Sequence, residues 1–214
     1  MVRNGRTSQR MNRRTVFATA ALLLAGGLAA AAPAQAQGTA ARLRGTVDSV
    51  SGDQVNLTLR NGSKATVTLP TETRYTWLTV SKLSEIQPGS FIGTVATPQP
   101  DGTLKAMEVQ IFPPNFGDRN GGHFEWDTGN QSSMTNGTVG NLTVANGRTM
   151  TLTYKGGEKK VFVPDDVPAV TYEPADKAAL TPGAHVLING TRSADGKVTA
   201  RNVSVGKDGL VPPM

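Results

Sequence analysis

The chain has 214 residues, no cysteine, two histidines and a formal charge of +6. The missing cysteines exclude disulfides, thiolate metal sites, iron–sulfur clusters and cysteine nucleophiles. Five of the 22 basic residues and none of the 16 acidic ones fall within residues 1–36, so the remainder carries only +1. Basic surfaces for nucleic acid or anionic lipid need clustered charge, and Lys159-Lys160 is the nearest thing to a cluster. No nucleic-acid partner is expected.

Residues 1–36 read as a cleaved signal peptide. Arg3, Arg6, Arg10, Arg13 and Arg14 precede an apolar stretch from Val16 to Ala32, and Ala34-Gln35-Ala36 is a small-x-small cleavage signature. Cleavage between Ala36 and Gln37 is expected, with no transmembrane segment afterwards. Asn12-Arg13-Arg14-Thr15-Val16-Phe17 resembles a twin-arginine signal, with Val16 and Phe17 where that motif has Phe and Leu. Both the Sec and the twin-arginine route stay open, as does initiation at Met1 or Met11. The expected destination is the periplasm or the medium.

After the signal, one pattern occurs twice. Gly45-Thr46-Val47 returns 92 residues later as Gly137-Thr138-Val139, and Pro88-Gly89 returns 94 residues later as Pro182-Gly183. Asp101-Gly102 with Ala106 returns as Asp195-Gly196 with Ala200. In the first copy, strands are predicted over 43–50, 54–60, 63–69, 91–96 and 104–111. Val55, Leu57 and Leu59 alternate with polar residues, and Asn61-Gly62 is a hairpin signal whose turn wants positive φ at both residues. After Pro70 the alternation lapses, and Ser81–Gln87 is read as a helical turn stopped by Pro88-Gly89. The second copy repeats this order, with strands over 137–144, 148–155, 158–163, 184–191 and 198–205 and a helical turn at 175–180. Five short strands with a helical turn between the third and fourth is the order of an OB-like barrel. The expected fold is therefore all-β: two tandem duplicated OB-like β-barrels at 42–113 and 136–206, with a Gly/Asn-rich aromatic loop at 114–135 and a tail at 207–214.

Arg44-Gly45-Thr46-Val47, the Leu83…Pro88-Gly89 turn and Asp101-Gly102-Thr103-Leu104-Lys105-Ala106 resemble a bacterial family of exported proteins with OB-like β-barrel domains, the domain of unknown function 5666 family. The resemblance covers both copies. It implies fold and export, and brings no activity and no catalytic residues.

The richest cluster is His123-Phe124-Glu125-Trp126-Asp127, with Met134 close behind. It resembles the site of small periplasmic copper chaperones, where a His and Met residues bind Cu(I) beside a Trp face. That resemblance implies Cu(I) held by His123 and Met134; His185 would join them in a copper or zinc site only if the loop folds across the second barrel, and is otherwise a strand residue on a half-buried face. Those chaperones use paired Met residues on strands, whereas Met134 lies in a predicted loop. The other reading makes Phe124, Trp126 and Met134 anchors of the loop on apolar surface, with no cofactor. Trp77 and Tyr172 occupy corresponding stretches of the two copies, either as a stacking platform or as plugs of the barrel ends.

No Gly-x-Ser-x-Gly and no phosphate-binding glycine loop occurs, and no catalytic residue is identified. The expected function is that of a non-enzymatic binding or interaction module. Its partner would be an envelope protein or glycan, met through Phe124, Trp126, Trp77 and Tyr172. A periplasmic metal-binding protein is the alternative, and an enzyme of unknown class the third reading.

Overall fold

A computed structural model of the chain describes residues 38–114, 121–129 and 131–213. The expected signal at residues 1–36 and its cleavage point between Ala36 and Gln37 lie outside the described residues.

The described chain is all-β. Its strands are β1 (Thr39–Ser51), β2 (Gln54–Leu59), β3 (Lys64–Thr68), β4 (Arg74–Ser81), β5 (Phe91–Pro98), β6 (Leu104–Ile111) and β7 (Gly122–Glu125). They continue with β8 (Ser133–Val144), β9 (Arg148–Tyr154), β10 (Gly157–Val163), β11 (Ala169–Pro174), β12 (His185–Arg192) and β13 (Val198–Gly206). Short 3-10 turns occupy Leu83–Glu85 and Lys177–Ala179, inside the two stretches predicted to be helical. At the second hairpin, Asn146 and Gly147 both have positive φ, as the sequence requires; at the first, only Gly62 does, and Asn61 Oδ1 instead accepts from the Ser63 amide.

All thirteen strands join one continuous sheet. Within it, pairing closes on itself twice. One five-strand circuit runs β1-β2-β3-β13-β12 and back to β1; the other runs β8-β9-β10-β6-β5 and back to β8. Each circuit takes three strands from one copy and two from the other. This differs from the tandem expectation, in which each copy closes alone. The pairing is nonetheless two-fold symmetric in sequence. Val67 opposite Val198 closes the first circuit, and Leu104 opposite Val161, the equivalent positions 94 residues away, closes the second. Leu43 opposite Ile188 likewise matches Thr135 opposite Thr94.

The exchange follows from two strands that the sequence reading passed over. β4 pairs with β13 and β11, and β11 pairs with β4 and β6, so these two strands bridge the circuits. They carry the chain out of one circuit and into the other. At their centre Leu78 faces Tyr172, again 94 residues apart.

Packing agrees with the pairing. One core gathers Leu43, Val47, Val55, Leu57 and Val67 with Val186, Ile188, Val198 and Val203. The other gathers Ile92, Leu104 and Val109 with Val139, Met150, Leu152 and Val161. Burying these apolar side chains supplies the main driving force, and neither core is complete within one copy. The repeated glycines have a steric reason. A Cβ on Gly137 would lie 2.8 Å from the Thr153 carbonyl oxygen, and one on Gly45 would collide with that of Thr58.

The tail is not left loose. Leu210 packs beside Leu78, Val170 and Tyr172, and the Pro212 carbonyl accepts a hydrogen bond from Arg60.

Candidate functional site

The loop between the copies contains a strand. β7 lies antiparallel to the first residues of β8, with His123 opposite Thr135 and Phe124 opposite Met134. A tight turn follows, in which the Trp126 amide donates to the Ser132 carbonyl at 2.8 Å and Thr128 Oγ1 donates to Ser132 Oγ at 2.8 Å. This turn delivers Trp126 and Asp127 onto the start of β1, more than eighty residues earlier.

There they meet two arginines. Arg44 donates from both terminal guanidinium nitrogens to Asp127, at 2.9 and 2.8 Å, and Arg42 lies 3.2 Å from the same carboxylate. The fork-shaped pair fixes geometry as well as energy. The hydrogen bonds from Arg44, with the charges of Arg44 and Arg42, hold the Asp127 carboxyl below its ordinary range. The Arg42 guanidinium sits 3.4 Å over the Trp126 ring, a cation–π contact, and its Nε donates to Asn189 Oδ1 at 3.2 Å. Beneath, Trp126 packs on Val95, Met134 and Leu187. Phe124 tilts against Trp126 at 6.0 Å and is 44% exposed. The result is a surface of Phe124, Trp126 and Arg42, seated on an apolar underside and braced by the Arg42–Asp127 pair.

Behind this surface lies a buried acid. Glu108 on β6 is 2% exposed; its Oε1 accepts from Gln110 Nε2 at 3.3 Å, and Oε2 has no partner among the described residues. Burial pushes its pKa up to about 8, against the opposing pull of Arg44 and Arg60. Burial, and then the Glu108 charge, raise the Tyr172 hydroxyl.

The proposed metal ligands are not brought together. Because His123 faces Thr135 and Phe124 faces Met134, His123 and Met134 project from opposite faces of the sheet. Met134 is 2% exposed and enclosed by Val95, Leu187 and Trp126. His123 Nδ1 lies 2.8 Å from Thr135 Oγ1, its ring stacks near Tyr154, and burial lowers its pKa. His185 sits elsewhere, on β12, with Nδ1 3.1 Å from Thr46 Oγ1. Among the described residues, no three His, Asp or Glu side chains are grouped as a metal site would require.

Trp77 and Tyr172 form no common platform either. Both lie in strands, and since Leu78 is the partner of Tyr172, Trp77 projects from the other face. Trp77 packs on the first core and lines an open depression with Pro174, Ala175, Asp176, Ala178 and Ala179. Tyr172 is buried and stacks on Phe112 at 5.4 Å. Of the predicted contact residues, only Phe124 and Trp126 share a surface. Arg42, Arg44 and Glu108 escaped the sequence reading. Asp127 was the one visible hint, as the charge at the end of the aromatic cluster. No helix among the described residues is long and apolar enough to cross a membrane.

Compared with protein families, curated proteins and solved structures, the chain matches none.

Proposed function

We propose that this chain is an exported, non-enzymatic binding module of the bacterial periplasm or cell envelope. In this reading each five-strand circuit is an OB-like barrel, completed by two strands of the other copy. The partner is an envelope protein or glycan. It is met by Phe124, Trp126 and Arg42 rather than by Trp77 or Tyr172.

One observation carries the reading: an exposed Phe124 tilted against a half-buried Trp126, whose indole is covered by Arg42, itself paired with Asp127. Aromatic and arginine side chains held rigid before contact lose little entropy on binding, and such side chains dominate the energetics of interfaces.

The reading is tested by placing a photo-crosslinking amino acid at position 124, and separately at Val144, an exposed position on β8 (63%), in cells that export the protein. Discrete adducts from position 124, absent from position 144 and lost on Arg42→Ala, are expected. Equal labelling from both positions contradicts the reading. So does stoichiometric copper or zinc in the purified protein that disappears on His123→Ala, which would favour a metal-binding protein.

A further inference from the structure

One strand, β7, has no counterpart under the two-fold sequence symmetry of the pairing. On β8, residues Ser133–Asn136 are held by β5 on one side and by β7 on the other. The equivalent residues of β1, 92 positions earlier, are Ala41–Arg44. They pair with β12 on one side, but β2 begins only opposite Gly45, and no strand among the described residues occupies the position equivalent to β7.

The direction of this edge can be read from its last bond. The Arg44 carbonyl accepts from the Arg60 amide at 3.1 Å, so the main chain of Arg44 points away from β12. In antiparallel pairing, main-chain direction alternates residue by residue. The N–H and C=O groups of Arg42 and Ala40 therefore point the same way, toward the position that no described strand fills.

The side chains around the edge specify its occupant. Leu43 is buried on the core face, with Leu59 packed against the same core. On the opposite face Arg42 and Arg44 stand side by side with Arg60 nearby, against the single ionised carboxylate of Asp127. Glu108, its carboxyl held protonated by burial, does not offset them at neutral pH. An added strand would thus set an apolar residue over Leu43, between acidic residues facing Arg42 and Arg44.

We propose that the Ala40–Arg44 edge of β1 is a strand-acceptor site for an extended acidic peptide of alternating acidic and apolar residues, in the place that β7 fills on the other half. Main-chain hydrogen bonds supply the affinity and the arginines the selectivity, as in other cases of strand addition. The inference goes beyond the binding-module reading by adding a second contact site, on the β1 edge. It commits to an extended peptide strand, so a folded partner or glycan gripped at Phe124 would satisfy that reading and not this one.

The probe is a fluorescein-labelled peptide carrying Asp-Val-Asp-Val-Asp, titrated into the full mature protein, with a Lys-Val-Lys-Val-Lys peptide as control. Saturable binding of the acidic peptide only, weakened by added salt, is expected. Ala40→Pro removes an outward N–H that β12 does not use, and edge positions tolerate proline. It should weaken binding at least tenfold, whereas Val144→Ala, at an exposed position on β8, should leave it within twofold. Amide NMR shifts of the unsubstituted protein should move at residues 40–44, which makes the result independent of how the variant folds. No binding, equal binding of the lysine peptide, or shifts confined to β7 would overturn the proposal. Peptide binding lost on Phe124→Ala and kept in Ala40→Pro would overturn it while upholding the contact surface. Concentration-dependent dimerisation that shifts the same amides would overturn it in favour of a second copy of the chain.

Discussion

Glu108→Gln stabilises the protein at pH 9 and does not stabilise it at pH 4. Glu108 is buried where the two halves meet. Facing it are Arg44 from β1, Arg60 beyond β2, Tyr172 from β11 and its neighbour Gln110. Desolvation outweighs the two guanidinium groups and raises its pKa from 4.5 to about 8. The folded state therefore binds a proton that the unfolded chain has released. The sign follows directly: the contribution of the neutral acid is fully present below about pH 4.5 and is lost as pH rises through about 8. At about 1.4 kcal/mol for each tenfold change in proton affinity, the upper limit is about 5 kcal/mol. Glutamine keeps an acceptor for Gln110 but places an NH2 where Oε2 has no partner, a cost of about 1–3 kcal/mol. The net expectation is a gain of about 2–4 kcal/mol at pH 9 and a small loss at pH 4, read from urea melts at the two pH values. A variant that is no more stable than the parent at pH 9 would mean that the folded protein holds the charged carboxylate at no cost and that burial does not raise the Glu108 pKa.

The second large effect lies in the first core. Ile188 is fully buried, belongs to the second copy, and stands opposite Leu43 of the first. Truncating it leaves a cavity that the surrounding strands cannot collapse, so Ile188→Ala should cost about 2–5 kcal/mol. The informative quantity is the coupling. In a double-mutant cycle with Leu43→Ala the two losses should interact by about 0.5–3 kcal/mol, because the side chains share one core. With Leu152→Ala, in the other core, they should add to within about 0.5 kcal/mol. Two copies closing separately would reverse these couplings.

Why the copies exchange strands was hidden in the sequence, although the strands were not. Ten strands, their turns and the two short helical segments fall where alternation and Asn-Gly, Asp-Gly and Pro-Gly signals place them. Equivalent positions in two copies carry nearly the same pattern, so β3 finds the same kind of neighbour in β13 as in β6. No local rule separates the two choices. The bridging strands β4 and β11 both bury side chains on both faces: Trp77 and Tyr75 of β4 against the first core and Ala169 of β11 in the second, with Leu78 and Tyr172 against the tail residue Leu210. Two-sided burial erases the alternation by which half-buried strands are recognised.

Glu108 was hidden for a related reason. A bulge opposite Val95 and Ala96 inserts Met107 into β6, and Glu108 then joins the outer face of its circuit. That face would be wet on an isolated circuit, and the other half covers it here. The contact surface was half legible. His123, Phe124 and Trp126 stood out as aromatics in a loop too polar to need them. Nothing in the sequence said that the loop returns to Arg42 and Arg44, or that pairing register would turn His123 and Met134 to opposite faces.

The exchange itself is tested most directly by disulfide trapping, for which a chain without cysteine gives no background. Thr46 and His185 are opposite residues of β1 and β12. The Val47 amide donates to the Ala184 carbonyl, so Thr46 and His185 form a pair not bonded to each other through the main chain. Such pairs approach to about 4.5 Å between Cα atoms, within reach of a disulfide. Phe91 is the position equivalent to His185 in the first copy, 94 residues earlier. Thr46→Cys with His185→Cys should oxidise quantitatively in the monomer, seen as a mobility shift and a linked peptide by mass spectrometry, and Thr46→Cys with Phe91→Cys should remain reduced. The opposite pattern, linkage of positions 46 and 91 in the monomer, would mean that each copy closes on its own and that the halves do not exchange strands.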